Sequence, residues 1–293
     1  MMVVMGHTIY FCMYHEEQPH DIIFTMICTF HVPLFFFLSG VVIKELPNSK
    51  KVLSKSYRFL KPMLIIGFIN AIVIDHIRDF FLKGGHNGYW YLLTLTIFYL
   101  MLLPFNLNTT KNKLLSILID IAIALSIWIV FYIATGTDNI IVNAANPWGA
   151  FSFWLFFIIG FLVRKYNLLC YLTDFPWLTM LLVGVYFIFI LIFFSSLDHL
   201  PIFLDFIIAA IAIAALMGIF HRFENTDTWL NRQLLIIGNN TLKIYVFHYF
   251  FIRFINIDFL ISKNIIQELL FIIPLTIIIV YGSIAIGKLV KFP

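Results

Sequence analysis

The chain has 293 residues, of which 62% are hydrophobic and 12% are charged, with a formal net charge of +4 and a mean hydropathy of +0.97. Soluble domains are roughly 45–50% apolar and about 25% charged, so these values exclude a soluble enzyme, a disordered chain and a nucleic-acid-binding protein. The composition predicts an all-α fold: a polytopic integral membrane protein built as a helical bundle in the lipid bilayer.

A membrane-spanning helix needs about 20 mostly apolar residues. Ten segments approach this pattern and are predicted to cross the bilayer: 1–14, 22–43, 62–82, 89–105, 114–134, 148–163, 177–196, 201–220, 234–252 and 267–287. Proline, glycine and asparagine residues typical of turns separate them. Because the connections contain no long polar linker, residues 1–293 are predicted to form a single membrane-embedded domain.

Lysine and arginine are unequally distributed between the two sides of this ten-helix arrangement. With the N-terminus in the cytoplasm, the inner connections carry Lys44, Lys50, Lys51, Lys55, Arg58, Lys61, Lys111, Lys113, Arg164, Lys165, Arg222, Arg232, Lys288 and Lys291. The outer connections carry Arg78, Lys83, Arg253 and Lys263, and Lys243 lies within a helix. Such an excess marks the cytoplasmic side, so we expect a cytoplasmic N-terminus and a multi-pass protein of the inner (plasma) membrane.

The first apolar segment is shorter than the bilayer is thick. Fourteen residues precede His15, and a helix of that length covers about 21 Å of a hydrocarbon core of about 30 Å. The segment has neither the basic start nor the small-residue cleavage site of a signal peptide. Either a short helix thins the bilayer or the chain begins further upstream. We favour the second explanation, in which the first helix is truncated.

Three of the nine histidines lie at membrane depth, namely His7, His31 and His248. The other six fall in connections: His15, His20, His76, His86, His199 and His221. An ionisable group at depth is costly and is therefore a functional candidate. His7 follows Gly6 in the first segment, and its imidazole can act as a general base near neutral pH. The structural alternative is a histidine that hydrogen-bonds a neighbouring helix.

His31 begins the sequence HVPLFFFLSG at residues 31–40. Pro33 removes a backbone donor and is predicted to kink the helix. Ser39 and Gly40 allow another helix to approach closely. This pattern fits a cavity wall that carries a functional histidine, and simple helix packing explains it equally well.

The connection from Lys44 to Lys61 contains six basic residues and one acidic residue, Glu45. Arg58 and Lys61 are three residues apart, directly before Pro62, so they face the same way on a helix. That arrangement suits an anionic phosphate ligand that arrives from the cytoplasm. The alternative is a topology signal that also contacts anionic lipid headgroups.

Together these segments resemble the acyltransferase-3 family of integral-membrane O-acyltransferases, which includes fucose-4-O-acetylase-like and other polysaccharide O-acetyltransferases. Residues 3–8 (VVMGHT) look like the family's Gly-His-Ser/Thr first helix, and residues 30–40 (FHVPLFFFLSG) are similar to its second-helix signature. Residues 58–62 (RFLKP) resemble its basic stretch before the third helix. Residues 90–95 (WYLLTL) and 237–248 (IGNNTLKIYVFH) resemble two later segments, so the likeness covers nearly the whole chain.

The resemblance implies transfer of an acyl group, usually acetyl, from cytoplasmic acyl-CoA to a sugar hydroxyl. It implies that His7 corresponds to the family's essential first-helix histidine, and that Arg58 and Lys61 correspond to the basic pair associated with the CoA phosphates. Two departures stand out. The family's basic residue about ten positions before this histidine has no counterpart here, and Lys61 stands where arginine is common. Lysine lacks the planar fork that binds phosphate oxygens in pairs.

On this resemblance we expect a membrane O-acetyltransferase with His7 as general base, His31 as a second catalytic residue, acetyl-CoA as donor and a carbohydrate as acceptor. Ser39, Asn240 and Tyr245 are further candidates for positioning groups. One alternative is a transporter or flippase for a lipid-linked sugar that uses the intramembrane histidines as a proton relay. A purely structural membrane subunit is another. No spacing of His, Cys, Asp and Glu predicts a metal site.

Overall fold

The computed structural model describes residues 1–14, 21–73, 76–82, 88–137, 140–170, 175–193, 202–223, 226–260 and 264–291, which form helices and no strand. The α-helices, numbered in chain order, are α1 Met2–His7, α2 Ile22–Val41, α3 Ser49–Pro62, α4 Phe68–Val73, α5 Ile77–Leu82, α6 Trp90–Leu100, α7 Lys113–Thr135, α8 Ile140–Ala145, α9 Trp154–Lys165, α10 Pro176–Phe193, α11 Ile202–Phe223, α12 Trp229–Asn239, α13 Thr241–Ile252 and α14 Ile265–Leu289. Within the same ranges, π-helical segments at Thr8–Met13 and Met63–Gly67 continue α1 and α3. Short 3-10 helices occupy Leu103–Leu107, Pro147–Phe153 and Asp258–Leu260.

Six helical segments in the described ranges are long and apolar enough to cross a membrane: Ile22–Val41, Ser49–Val73, Trp90–Leu107, Lys113–Thr135, Phe203–Phe223 and Ile265–Leu289. Three further apolar helices are shorter: Met2–Met13, Pro176–Ile192 and Thr241–Ile252. The predicted all-helical, multi-pass membrane architecture is confirmed. The number of ten spans and the cytoplasmic N-terminus stay predictions.

The third predicted segment, 62–82, differs from the structure at both ends. A continuous helix covers Ser49–Val73, and Ile77–Leu82 is a separate short helix. The start is fixed by Asn48, whose side chain accepts a hydrogen bond from the Lys51 backbone N–H at 2.9 Å. The first half of this helix is rich in charged residues, so a search for apolar runs does not detect it.

Two other predicted segments are interrupted. The segment at 148–163 begins within the 3-10 helix Pro147–Phe153, and the segment at 234–252 breaks at Asn240. The Asn240 side chain donates to the Ile236 carbonyl at 2.8 Å. Asparagine side chains compete in this way with the backbone hydrogen bonds of a helix.

The chain divides into two compact units: unit 1 comprises Met1–Leu34 and Leu169–Pro293, and unit 2 comprises Phe35–Leu168. In unit 1, α10 packs against α11, and α13 packs against α14. The N-terminal helix α1 contacts both α13 and α14. Ile9, Ile272 and Ile279 are fully buried in the core between these helices. This core carries the histidine site described below.

In unit 2, two glycines bring the second half of α2 into backbone contact with α9. A Cβ atom added to Gly40 would lie 2.0 Å from the Phe157 carbonyl oxygen. A Cβ atom added to Gly160 would lie 2.0 Å from the Phe37 carbonyl oxygen. The close helix approach predicted at Ser39 and Gly40 is therefore confirmed at Gly40.

A buried carboxylate joins α7 to the end of α9 within unit 2. Asp120 is 0% exposed, and it accepts hydrogen bonds from Asn108 Nδ2 at 2.7 Å and from the Tyr166 hydroxyl at 2.8 Å. It also forms an ion pair with Lys165. A buried charge is tolerated only when it is paired and hydrogen-bonded in this way, so these contacts fix α7 against α9.

Candidate active site

His7 is the last residue of α1 and directly precedes the π-helical segment Thr8–Met13. Gly6 allows α1 to lie close to α2, since a Cβ atom at Gly6 would be 3.3 Å from Cγ2 of Ile27. π-Helical turns are rare and occur frequently at functional sites. This junction holds the half-buried imidazole of His7 against the core of unit 1.

His7 is paired with His248, which lies 241 residues away on α13. His7 Nδ1 and His248 Nε2 are 2.9 Å apart, and the two rings are nearly parallel, at 12° with centroids 5.2 Å apart. His248 is 0% exposed. Two of the three histidines predicted at membrane depth therefore form one hydrogen-bonded unit.

The partners of His248 determine which nitrogen carries each proton. His248 Nδ1 lies 3.0 Å from the Ile244 carbonyl oxygen and 2.8 Å from the Tyr245 carbonyl oxygen. Carbonyl oxygens only accept, so His248 Nδ1 donates, and Nε2 of the neutral ring is an acceptor. His7 Nδ1 must therefore donate to His248 Nε2. The lone pair of His7 consequently resides on its Nε2 atom, which makes no hydrogen bond with any residue that the structure describes.

Aromatic rings surround the histidine pair and restrict the rotamer of His7. The Tyr249 ring lies over both imidazoles, with centroids 5.1 Å from His7 and 4.1 Å from His248. Phe11 meets the His7 ring edge-on at 5.7 Å. Packing of this kind holds a reactive side chain in one orientation, which is a requirement of an efficient catalytic site.

His31 lies on α2 in the same unit. Its Nδ1 donates to the Ile27 carbonyl, one turn earlier, at 2.9 Å. Its Nε2 is therefore the acceptor nitrogen, and no described residue donates to it. His31 is also near enough to His7 for the two rings to interact electrostatically. The structure thus places the two predicted catalytic histidines in one neighbourhood, with His248 as a third member.

The predicted phosphate-binding cations lie on α3 in unit 2. Arg58 and Lys61 are exposed and form no ion pair with the described residues, and Lys61 Nζ lies 5.6 Å from the centroid of the Tyr57 ring. Lys55 stands one turn before Arg58 and donates to the Tyr99 hydroxyl at 3.2 Å. Three cations therefore follow one another at intervals of three residues, on a helix whose start is capped by the Asn48 side chain.

A family model described as an acyltransferase domain, that of acyltransferase-3, matches residues 1–288. The chain belongs to the acyltransferase-3 family. Comparison with curated proteins and with solved structures gives no match. Membership of the acyltransferase-3 family identifies the chain as a membrane acyltransferase.

Other residues singled out in this acyltransferase-3 chain have different surroundings. The Ser39 hydroxyl lies 2.8 Å from the Tyr91 hydroxyl in unit 2. Asn240 is half-buried and its side chain donates to the Ile236 carbonyl, and the Tyr245 carbonyl accepts from His248. The loop histidines His15, His20, His86 and His199 lie outside the described residues. Among the described residues, no group of three or more His, Cys, Asp or Glu side chains could hold a metal ion.

Sequence reasoning did not assign a role to His248 or to Lys55. His248 was recognised as a histidine at depth, and its position at the end of the 237–248 segment was the available signal. Its pairing with His7 depends on how α1 packs beside α13, which no sequence pattern encodes. Lys55 was counted only as a topology signal, although it precedes Arg58 by the same three-residue interval that links Arg58 to Lys61.

Proposed function

We propose that this acyltransferase moves an acyl group, in the first instance acetyl, from cytoplasmic acyl-CoA to a hydroxyl group of a cell-surface polysaccharide or its sugar precursor. The observation that carries the proposal is the His7–His248 pair. It leaves His7 with an unpartnered Nε2 lone pair inside an apolar core, which is the requirement for a general base.

The hydrogen bonds of the pair explain how His7 can accept a proton. Two backbone carbonyls polarise the Nδ1–H of His248, which makes His248 Nε2 a better acceptor. When His7 Nε2 takes up a proton, the positive charge that forms is stabilised by the existing hydrogen bond from His7 Nδ1 to His248. His248 is thus a positioning residue, which sets the tautomer of His7 and supports its charged form.

The cations of α3 are the proposed binding site for the phosphate groups of acyl-CoA. Arg58 and Lys61 have no carboxylate partner among the described residues, so their charges are available to a ligand. Arginine can bind two phosphate oxygens at once, whereas lysine acts as a point charge. Lys55 adds a third positive charge to the same stretch of α3.

The proposed reaction balances without a further reactant. A bond forms between the acceptor oxygen and the acyl carbon, and the bond between that carbon and the sulfur of CoA breaks. The proton of the acceptor hydroxyl passes to His7 Nε2 and then to the departing sulfur. The hydroxyl must lie within about 2.6–3.2 Å of His7 Nε2 for this transfer. His31 Nε2, which is also an acceptor, can hold the sugar in place by accepting a hydrogen bond from a second hydroxyl group.

The test uses membranes that contain the protein, acetyl-CoA labelled in the acetyl group and the membrane's own glycans. We expect label in glycan, and we expect His7→Ala to lower the rate about 10²–10⁴-fold, because that is the usual contribution of a general base. His76→Ala is the matched control, since His76 is an exposed histidine in unit 2. Its rate should equal that of the unmodified protein.

Unchanged labelling in His7→Ala, at equal abundance in the membrane, would contradict the assignment of the base. Transport of a lipid-linked sugar across the membrane without incorporation of label would instead identify a transporter. The two results are distinguishable because the first retains the acetyl ester in glycan and the second never forms it.

A further inference from the structure

Two buried carboxyl groups contact each other in unit 1. Asp21 is 6% exposed and Glu268 is 5% exposed. Their side chains are in contact, although Asp21 precedes α2 and Glu268 lies in the first turn of α14. Oε1 of Glu268 is buried and has no hydrogen-bond partner among the described residues.

The proton between the two carboxyl groups can be assigned from their surroundings. Two buried carboxylates in contact cannot both be ionised, so the pair holds one proton. Asp21 Oδ1 accepts the Phe24 backbone N–H at 2.7 Å and lies at the positive end of α2, which stabilises a carboxylate. Glu268 is therefore the protonated member and donates to Asp21. Its Oε1 is left as an acceptor for a donor that this chain does not supply within the described residues.

A second unpartnered group lies on Arg253, directly after α13. The Nε–H of Arg253 is buried and donates to nothing in the described residues, and its guanidinium forms no ion pair there. An arginine side chain is always charged, and a buried guanidinium N–H without an acceptor is costly. Arg253 interacts electrostatically with Tyr249, whose ring packs on His7.

Packing places Arg253 and the carboxyl pair around one apolar core. Ile22 and Leu269, which directly follow Asp21 and Glu268, pack against the core that contains Cys12 and Ile252. The Cys12 thiol donates to the Ile252 carbonyl at 3.2 Å, and the Ile257 N–H donates to the Cys12 carbonyl at 2.8 Å. Arg253 therefore follows a residue that contacts the π-helical segment Thr8–Met13. Tyr14, two residues after Cys12, interacts electrostatically with both Asp21 and Glu268.

We propose that Arg253, Glu268 and Asp21 form the acceptor subsite of this acyltransferase and that the subsite selects a sugar bearing a carboxylate or phosphate group. The sugar's anion binds the Arg253 guanidinium, and one of its hydroxyl groups donates to Glu268 Oε1. Asp21 holds Glu268 in its protonated form. The inference rests on the proposed function for its acceptor role, whereas binding of the anionic sugar is independent of turnover.

The first test measures binding to the purified protein in a polyoxyethylene detergent, whose headgroup is neither charged nor a sugar. The probes are methyl glucuronide, glucose 6-phosphate and neutral methyl glucoside. We expect the two anionic sugars to raise Tm by about 2–4 °C at concentrations well above Kd, and the neutral sugar to have no effect. Arg253→Gln should abolish the rise, and Arg253→Lys should retain part of it because the charge remains.

Arg232→Gln is the matched control, because it removes the same charge from an exposed pair with Asp227 at 2.8 Å. The control should retain the full rise in Tm. The proposal is overturned if neither anionic sugar raises Tm or if Arg253→Gln responds like the control. It is also overturned if phosphatidylglycerol, but neither sugar, gives a rise that depends on Arg253, since the ligand is then a lipid headgroup.

The second test measures acetyl transfer to the probes. The unmodified protein should show a KM about tenfold lower for methyl glucuronide than for methyl glucoside, because a charged hydrogen bond contributes that much. Arg253→Gln should remove this difference with little change in kcat. Transfer without any such difference contradicts the subsite and leaves the proposed function intact. Sugar binding that depends on Arg253, without transfer to any acceptor, contradicts the proposed function instead.

Glu268 provides an internal comparison. In Glu268→Gln the amide group still donates to Asp21 and its carbonyl still accepts, so binding of both sugars should change little. In Glu268→Leu both functions are lost, and KM should rise equally for the charged and the neutral sugar. A rise confined to the charged sugar would place Glu268 outside the hydroxyl contact proposed here.

Discussion

His248 supplies two hydrogen bonds that another side chain can imitate. A glutamine at this position can donate through its amide nitrogen to the backbone carbonyls and accept from His7 Nδ1 through its oxygen. Alanine can do neither. We expect His248→Ala to lower kcat at least about tenfold, by less than His7→Ala does, and His248→Gln to retain most of the activity.

The measurement is kcat and KM for acetyl-CoA with both variants in the same membranes. KM should be unchanged in each, because the proposed phosphate-binding cations lie on α3. Equal loss in both variants would mean that His248 contributes ring packing alone. Activity that is retained in His248→Gln but lost in His248→Ala would show that the hydrogen bonds of His248, and not only its packing, are required.

Single residues differ in how far the sequence reveals them. His7 and His31 are candidates because an imidazole in an apolar segment is costly, and the family resemblance then implies a catalytic role for His7. The state of the proton on His7 cannot be predicted from the sequence, because it depends on Ile244 and Tyr245 through His248. Those contacts arise only after α1 and α13 have packed together.

At the level of secondary-structure elements, the glycine contact between α2 and α9 offers a direct test of packing. Gly40→Ala and Gly160→Ala each place a methyl group 2.0 Å from a carbonyl oxygen of the opposite helix, so the helices must separate. Overpacking of this kind typically costs about 1–3 kcal/mol. We expect a lower Tm in detergent for each variant.

Gly184→Ala on α10 is the control, since a Cβ atom there would have no neighbour within 4 Å among the described residues. Its Tm should be equal to or slightly above that of the unmodified protein. Gly40 and Gly160 lie at the same contact between α2 and α9. The Tm of the double variant should therefore fall by less than the sum of the falls in the two single variants. Additive falls in Tm would indicate that the two glycines make independent contacts.

The elements also show where hydropathy fails as a guide. Long apolar helices such as α7 and α14 match the predicted segments closely, because hydropathy alone specifies them. The helix from Ser49 to Val73 was predicted to begin 13 residues later, since its first half carries charges on exposed positions. The break at Asn240 depends on one side-chain hydrogen bond, which average hydropathy does not register.

At the scale of the whole molecule, the distribution of lysine and arginine makes a prediction about orientation. Fourteen of these residues fall on the predicted inner side and four on the outer side. Lys50→Cys and Asp258→Cys place a thiol at exposed positions on opposite predicted sides, in a background where Cys12, Cys28 and Cys170 are replaced. In intact cells, a membrane-impermeant maleimide should label only the cysteine at position 258.

Both positions should react once the membranes are permeabilised, which confirms that each thiol is accessible. Labelling of position 50 in intact cells would reverse the orientation. Labelling of both in intact cells would mean that an even number of spans separates them, whereas the ten-span arrangement predicts seven. The composition predicted the class of protein reliably, whereas orientation depends on a charge balance that the folded helices do not themselves display.

The π-helical segment after His7 makes the length of the chain at this point as important as its residue types. A π-helical turn is closed by a bond over five residues, as between the Tyr14 N–H and the Ile9 carbonyl at 3.2 Å, and so takes in one residue more than an α-helical turn. Deleting one residue from Thr8–Met13 would restore an α-helical turn and rotate everything beyond it by about 100° relative to His7. Such a deletion would leave composition and hydropathy almost unchanged. Variation in the length of this turn, rather than replacement of its side chains, would then decide which residues face the histidine.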